Sequence, residues 1–266
     1  MTECVDSGLP TEPRHDLAPA NEGEFEGNYF SSPDACSAYA GRDYVEAALL
    51  SRLYFEMAET IATVFAPRKV LEVGCAAGPV IMYLNNFFGI EAVGVDVSDW
   101  AVEHRLHPNV VKGNVASLPF DSGEFDFVFS SHAIEHCHAI QIDRAIAEMT
   151  RVSTPYGTQM HLLPLLGSTS YPDIFGAIVQ LRRDPTHRLL FDRGWWLDRF
   201  GRCGWRESGV QVAFTFDNVL FEISQCQLLM TRAGLSSEVL QRVGMKNMTT
   251  AGAFHAALNG RAPPGL

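Results

Sequence analysis

A turn of small residues, Gly74-Cys75-Ala76-Ala77-Gly78, is followed by an acid at Asp96 and an amide at Asn114, and together these have the chemistry to hold a nucleoside. Small side chains in such a turn let the backbone bend sharply and approach a ligand closely. Glu72, just before the turn, adds an acceptor near the same point. A carboxylate about 20 residues past a glycine turn can accept both hydroxyls of an adenosine ribose. Asn114 can take a hydrogen bond from an adenine amino group on its side-chain oxygen, while Val115 offers a backbone N–H and apolar bulk. Each feature also has a plainer reading. The turn can join a strand to a helix with no ligand, Asp96 can cap the following helix, and Asn114 is favoured in a turn for its own side-chain-to-backbone bond.

The elements that must position these residues follow from apolar spacing. From Asp43 to Phe65, Val45, Leu49, Leu53, Met57, Ile61 and Val64 recur at steps of three and four, which predicts one amphipathic helix ended by Pro67. Short apolar runs then alternate with helical stretches. Strands are expected at Val70–Val73, Ala92–Val97, Val110–Lys112, Phe125–Phe129 and Thr158–Leu163, the last after a turn at Pro155-Tyr156-Gly157. Pro79 suits the first turn of a helix that stops near Gly89, and Ser98 suits an N-cap before Trp100–Arg105. Ile142, Ala145, Ile146 and Met149 mark another helix, Trp195–Phe200 a further one, and Val210–Phe216 a further strand. Strands separated by helices predict an α/β fold: a Rossmann-like, doubly wound, mainly parallel seven-stranded sheet with helices on both faces and an N-terminal helical lid. In such a sheet ligands bind outside the carboxyl ends of the strands, where the turn, Asp96 and Asn114 all fall.

Residues 1–27 are polar, acidic and rich in proline and glycine, and read as a flexible arm. Residues 28–258 then form one domain, with lid segments at about 28–65 and 164–190, and 259–266 are a loose tail. No apolar run approaches the roughly 18–20 residues of a membrane helix, and the first residues lack a basic start and an apolar stretch, so cytoplasmic residence is expected. The net charge of −11 repels phosphate backbones, and Asp184, Asp192 and Asp198 break up the densest basic clusters, so nucleic acid is not expected as a partner. Six scattered cysteines without a C-x-x-C pair argue for reduced thiols rather than disulfides or a zinc knuckle.

The order of these motifs resembles the class I S-adenosylmethionine-dependent methyltransferases, in particular their small-molecule group with a type-11-like core. That family reads E-x-G-x-G-x-G at the first turn, an acid ending strand two, G-D-A-x-x-L-P-F after strand three and F-D-x-V-x-S-x-x-x-x-E-H at strand four. Here residues 125–136 read F-D-F-V-F-S-S-H-A-I-E-H. The similarity is strong over about residues 60–165 and echoes to about 215, including D-P-T-H at 184–187. Two departures stand out: the middle glycine is Ala76, and the usual aspartate is Asn114. The resemblance implies S-adenosylmethionine as cofactor and S-adenosylhomocysteine as product. It carries cofactor contacts onto Glu72, Gly74, Cys75, Ala76 and Gly78 of the turn, onto Asp96 and Val97, and onto Asn114, Val115 and Ser131.

It also implies in-line methyl transfer to a small-molecule acceptor, with O- or N-methylation favoured and a secondary metabolite as the guess. His132 lies where the methyl should point, and His132 and His187 are the candidate catalytic groups. Tyr29, Asp184 and His187 are the candidate substrate contacts, and Phe30 and Tyr39 share the lid region; for each, packing or turn formation is the competing reading. Glu135 and His136 usually stabilise the loop in this family. His132, His136 and His138 raise the idea of a metal site, but with no second ligand cluster none is expected. A homodimer is an allowed assembly. Two other readings compete: an NAD(P)-dependent Rossmann oxidoreductase, and a catalytically silent methyltransferase-like partner subunit. The oxidoreductase fingerprint needs G-x-G-x-x-G, and Ala76 and Pro79 occupy its second and third glycine positions.

Overall fold

Lys69–Val73 (β1) buries its last four residues in succession, as a strand covered on both faces must. Val70 packs into one apolar core, and Leu71 and Val73 into the other. The computed structural model describes residues 25–31, 43–168, 186–216, 219–220 and 226–258. In it β1 lies in the interior of a seven-stranded sheet. The other strands are Glu91–Asp96 (β2), Val110–Lys112 (β3), Phe125–Ser131 (β4), Ser153–Leu162 (β5), Arg206–Glu207 (β6) and, after a hairpin of Thr215–Phe216 (β7) and Val219–Leu220 (β8), Gln227–Thr231 (β9). The order is β3-β2-β1-β4-β5-β9-β6. The first five strands are parallel, and β9 runs antiparallel to both β5 and β6. The seven-stranded, mainly parallel α/β expectation therefore holds.

Helices cover both faces. On one, Met57, Ile61, Val80, Ile81 and Leu84 pack against Phe127, Phe129 and Leu229. On the other, Ile142, Ile146, Met149, Trp196 and Phe200 pack against Leu71, Val128 and Met230. Gly27–Ser31 (α1), Tyr44–Leu50 (α2) and Arg52–Thr60 (α3) precede the sheet, and α3 runs on into a π-helical turn over Ile61–Phe65. Pro79–Asn86 (α4) begins on the expected proline, and Asp99–Glu103 (α5) is N-capped by Ser98, whose Oγ accepts from the Ala101 N–H at 3.2 Å. Ile142–Val152 (α6), Arg193–Arg202 (α7) and Ser237–Leu258 (α8) complete the set. No helix among the described residues is long and apolar enough to cross a membrane.

Four expectations need correction. The helix over 43–65 breaks at Ser51, which adopts an extended conformation and caps α3 by accepting from the Leu53 N–H. The chain after it is stopped by Ala66 in a left-handed conformation, one residue before Pro67. Pro155-Tyr156-Gly157 lies inside β5, where a register shift opposite Phe125–Phe127 absorbs the proline. Val210–Phe216 is strand only at its last two residues. The Val212 and Ala213 N–H groups bond to the side chains of Gln227 and Asn247, at 2.9 and 2.7 Å, so a sheet partner is not needed. The expected arm lies outside the described residues up to residue 24, as do 169–185 of the second lid segment, Tyr39 and the tail from 259.

Candidate active site

The chain leaves β1 at Val73 and crosses onto β2, because the Gly74 and Cys75 N–H groups both donate to Val95 O, at 2.8 and 3.2 Å. Left-handed residues alternate along the turn: Gly74 (φ 69°), Ala76 (φ 48°) and Gly78 (φ 72°). A Cβ on Gly74 would sit 2.3 Å from Ala133 Cβ, and one on Gly78 the same distance from Val110 Cγ2. Close protein neighbours therefore already require both glycines. Ala76 holds its left-handed conformation at a cost of roughly 1–2 kcal/mol.

Asp96 ends β2 and is 8% exposed. Its Oδ2 accepts from the Ala76 N–H at 2.7 Å and its Oδ1 from the Ser98 N–H at 3.0 Å. Burial raises its pKa, and the N–H groups of Ser98, Ala76 and Val97 pull it partly back. Glu72 is buried in β1, and its Oε2 has no hydrogen-bond partner. Burial first, and the Asp96 charge second, push its carboxyl well above the usual range. Among the described residues no lysine or arginine is paired with either acid. Cys75 is buried under Gly94 with its thiol pushed well up, which makes it a packing residue whose backbone lines the turn.

The end of β3 is tied to the same acid, since the Gly113 N–H donates to Asp96 O at 2.8 Å. Asn114 Oδ1 accepts from the Ala116 N–H at 2.9 Å, so the plainer reading of this residue is met in the structure. Val115 is half-buried against the second core.

Beyond Ser131, at the end of β4, a second cluster forms. His132 has φ 50°, its N–H donates to Leu162 O, and its side chain is 50% exposed. The turn Ile134–His136 then buries Glu135 completely. His132 Nδ1 lies 3.3 Å and His187 Nε2 3.9 Å from Glu135 Oε1. Thr186 Oγ1 lies 2.9 Å from His136 Nδ1, and the His136 and His187 rings are 4.8 Å apart. The backbone fixes this meeting, because the Arg188 and Leu189 N–H groups both donate to Glu135 O. Burial raises the Glu135 pKa, but the three surrounding histidines outweigh it and hold the carboxyl below its usual value.

Residues 25–31 span the two clusters. Glu26 accepts from the Asp99 and Trp100 N–H groups at the start of α5, and Phe30 stacks on Trp100 at 4.4 Å. Phe25 and Tyr29 set their rings edge-on to His136. The structure thus groups Glu72, Asp96, Val97 and the turn, with Asn114 and Val115 adjoining, and separately His132 and His187 with Tyr29 beside them. Asp184 lies outside the described residues. Sequence reasoning gave Glu135 only a loop role; its place at the centre of the histidines depends on a contact with the remote segment 186–189.

Residues 71–160 match the family model described as a methyltransferase domain. A 24-methylenesterol C-methyltransferase from Arabidopsis thaliana is 32% identical over 115 residues, covering 40% of this chain and 31% of that protein. An ajmaline N-methyltransferase from Rauvolfia serpentina is 29% identical over 104 residues, covering 35% and 34%. The match thus spans about a third of each relative's length. A solved protein from Pyrococcus horikoshii OT3 shares the fold at a TM-score of 0.52 and 15% identity, over 76% of this chain and 95% of that one. Over residues 71–160 the chain is thus similar to methyltransferase domains, and its fold is shared with the solved protein.

Proposed function

We propose that this protein transfers a methyl group from S-adenosylmethionine to oxygen or nitrogen of a small-molecule acceptor in the cytoplasm, a secondary metabolite being the acceptor class favoured. The observation that carries the reading is the buried pair Glu72 and Asp96 beside a turn whose Ala76 N–H already anchors Asp96. An ionised carboxylate offers about four acceptor positions, so Asp96 keeps lone pairs for two ribose hydroxyls after its backbone bonds are made. Two buried acids without a basic partner among the described residues suit a ligand that brings a sulfonium and an ammonium, and the unpartnered Oε2 of Glu72 suits a donor. Bound S-adenosylmethionine supplies a methyl group already activated on sulfur.

The protein's own residues orient and enclose. Gly74, Cys75, Ala76 and Gly78 present the turn backbone, and Val97 and Ser131 flank it at the neighbouring strand ends. Val115 offers its backbone N–H and apolar side chain to an adenine ring, and Asn114 its remaining acceptor capacity. His132 touches the acceptor, and Tyr29 and His187 shape that side of the site. Positioning of this kind supplies roughly 7–11 kcal/mol in favourable cases. The net charge of −11 supports a small acceptor over nucleic acid.

A metabolite extract incubated with the enzyme and methyl-labelled S-adenosylmethionine, followed by mass spectrometry of labelled products, identifies the acceptor. Label on a small molecule is expected. Label found on nucleic acid or protein alone contradicts the reading.

A further inference from the structure

The geometry points to a divalent-cation site formed by Glu135, His136 and His187. One donor atom from each lies within 4.8 Å of the others, and all three residues are buried. Donors spaced in this way each lie within about 2.8 Å of a shared centre, so shifts of less than an ångström bring them to the roughly 2.0–2.2 Å of zinc–nitrogen and zinc–oxygen bonds. The three ligands come from a short turn after β4 and from the segment 186–189. Two backbone hydrogen bonds to Glu135 O hold these pieces together, so the set is fixed before an ion arrives.

An independent observation marks the centre as a ligand position. Both carboxylate oxygens of Glu135 are fully buried and make no geometrically complete hydrogen bond; the nearest groups facing Oε1 are the imidazoles of His132 at 3.3 Å and His187 at 3.9 Å. An unsatisfied buried carboxylate costs several kcal/mol unless a cation compensates it. The surroundings match the habits of metal-binding imidazoles. Thr186 Oγ1 lies 2.9 Å from His136 Nδ1, and a proton on Nδ1 shared with that hydroxyl leaves the lone pair on Nε2 for an ion. The edges of Phe25 and Tyr29 close over His136 and limit water access.

A carboxylate with two imidazoles suits a borderline first-row cation such as Zn²⁺ or Co²⁺ rather than Mg²⁺. Three protein ligands leave a fourth tetrahedral position open. From sequence alone no metal is expected, because His132, His136 and His138 have no second ligand cluster to complete a shell. The fold supplies that completion through Glu135 and His187.

The test uses the full chain, stripped with a chelator and titrated with Co²⁺ and then Zn²⁺. Stoichiometry is read by calorimetry and coordination by the visible Co²⁺ spectrum. One equivalent is expected, with a low-symmetry Co²⁺ spectrum that Zn²⁺ abolishes. Glu135→Gln and His187→Ala are each expected to lose it, and His138→Ala to keep it. Thr186→Val, which removes the hydrogen bond to His136, is expected to weaken affinity about 10–100-fold. Zinc-edge X-ray absorption of the wild-type protein is expected to show two imidazoles and an oxygen donor, which decides the matter even if a variant fails to fold. Absence of a bound equivalent, retention of it in folded Glu135→Gln or His187→Ala, or sulfur ligation overturns the proposal. Because the readout is ion binding, failure of the methyl-transfer reading leaves this result unaffected, and the reverse also holds.

Discussion

Asp96 fixes three pieces of backbone: its carboxylate holds the turn through Ala76 and the start of α5 through Ser98, and its carbonyl holds the end of β3 through Gly113. Hydrogen bonds to a charged group contribute on the order of 1.5–3 kcal/mol each, so losing two to a ribose lowers affinity by more than about a hundredfold. Asp96→Ala is accordingly expected to abolish measurable S-adenosylmethionine binding in calorimetry, with Asp96→Asn intermediate. His132 leaves half its side chain exposed. His132→Ala is expected to keep cofactor affinity and to lower kcat once the acceptor is known. Full turnover in that variant removes His132 from the mechanism. That Glu72, Asp96 and the glycines lie together was legible from the sequence, because their positions follow from one turn and two neighbouring strands. Glu135 was not, because its environment is made by His187, which only tertiary structure brings near.

The turn between β1 and α4 separates two demands that its sequence shows as one run of small residues. Gly74 is required by Ala133, whereas Ala76 sits left-handed at a position open to glycine. Gly74→Ala is expected to destabilise the fold by about 1–3 kcal/mol in chemical denaturation, the typical cost of overpacking. Ala76→Gly is expected to stay within about 1 kcal/mol of wild type, since relieved strain offsets greater unfolded-state freedom. Equal losses in the two variants contradict this account. Elements with a clear period were placed well from the sequence: β1 to β4, α4, α5 and α6 lie within a few residues of expectation. Those missed lack a period. All five residues of β9 are buried, yet it includes Gln227 and Thr231, whose polarity hides a core strand. Ser51 breaks a helical pattern by capping, which apolar spacing does not encode.

Across the molecule, a buried polar chain joins β4, β5 and the end of α6. Ser130 Oγ lies 2.8 Å from His161 Nδ1, and His161 Nε2 lies 3.1 Å from Gln159 Oε1. Gln159 in turn donates to Ser153 Oγ and Met149 O at the end of α6. Burial lowers the His161 pKa to about 3, with the Glu135 charge opposing the shift. The unfolded chain, with an imidazole pKa near 6.5, binds more protons than the folded one between about pH 3 and 6.5. This group therefore makes stability rise with pH across that window and level off above it. His161→Asn is expected to flatten the pH dependence of the unfolding midpoint there, and an unchanged slope contradicts the assignment.

The β1 turn, Asp96 and Glu72 meet at the proposed donor site. Titration of S-adenosylmethionine and S-adenosylhomocysteine into the wild-type protein and into Asp96→Ala tests it most directly. One site per chain is expected in wild type, and none in the variant. Absence of binding by both ligands to the folded wild-type protein, or equal binding by the folded variant, contradicts it.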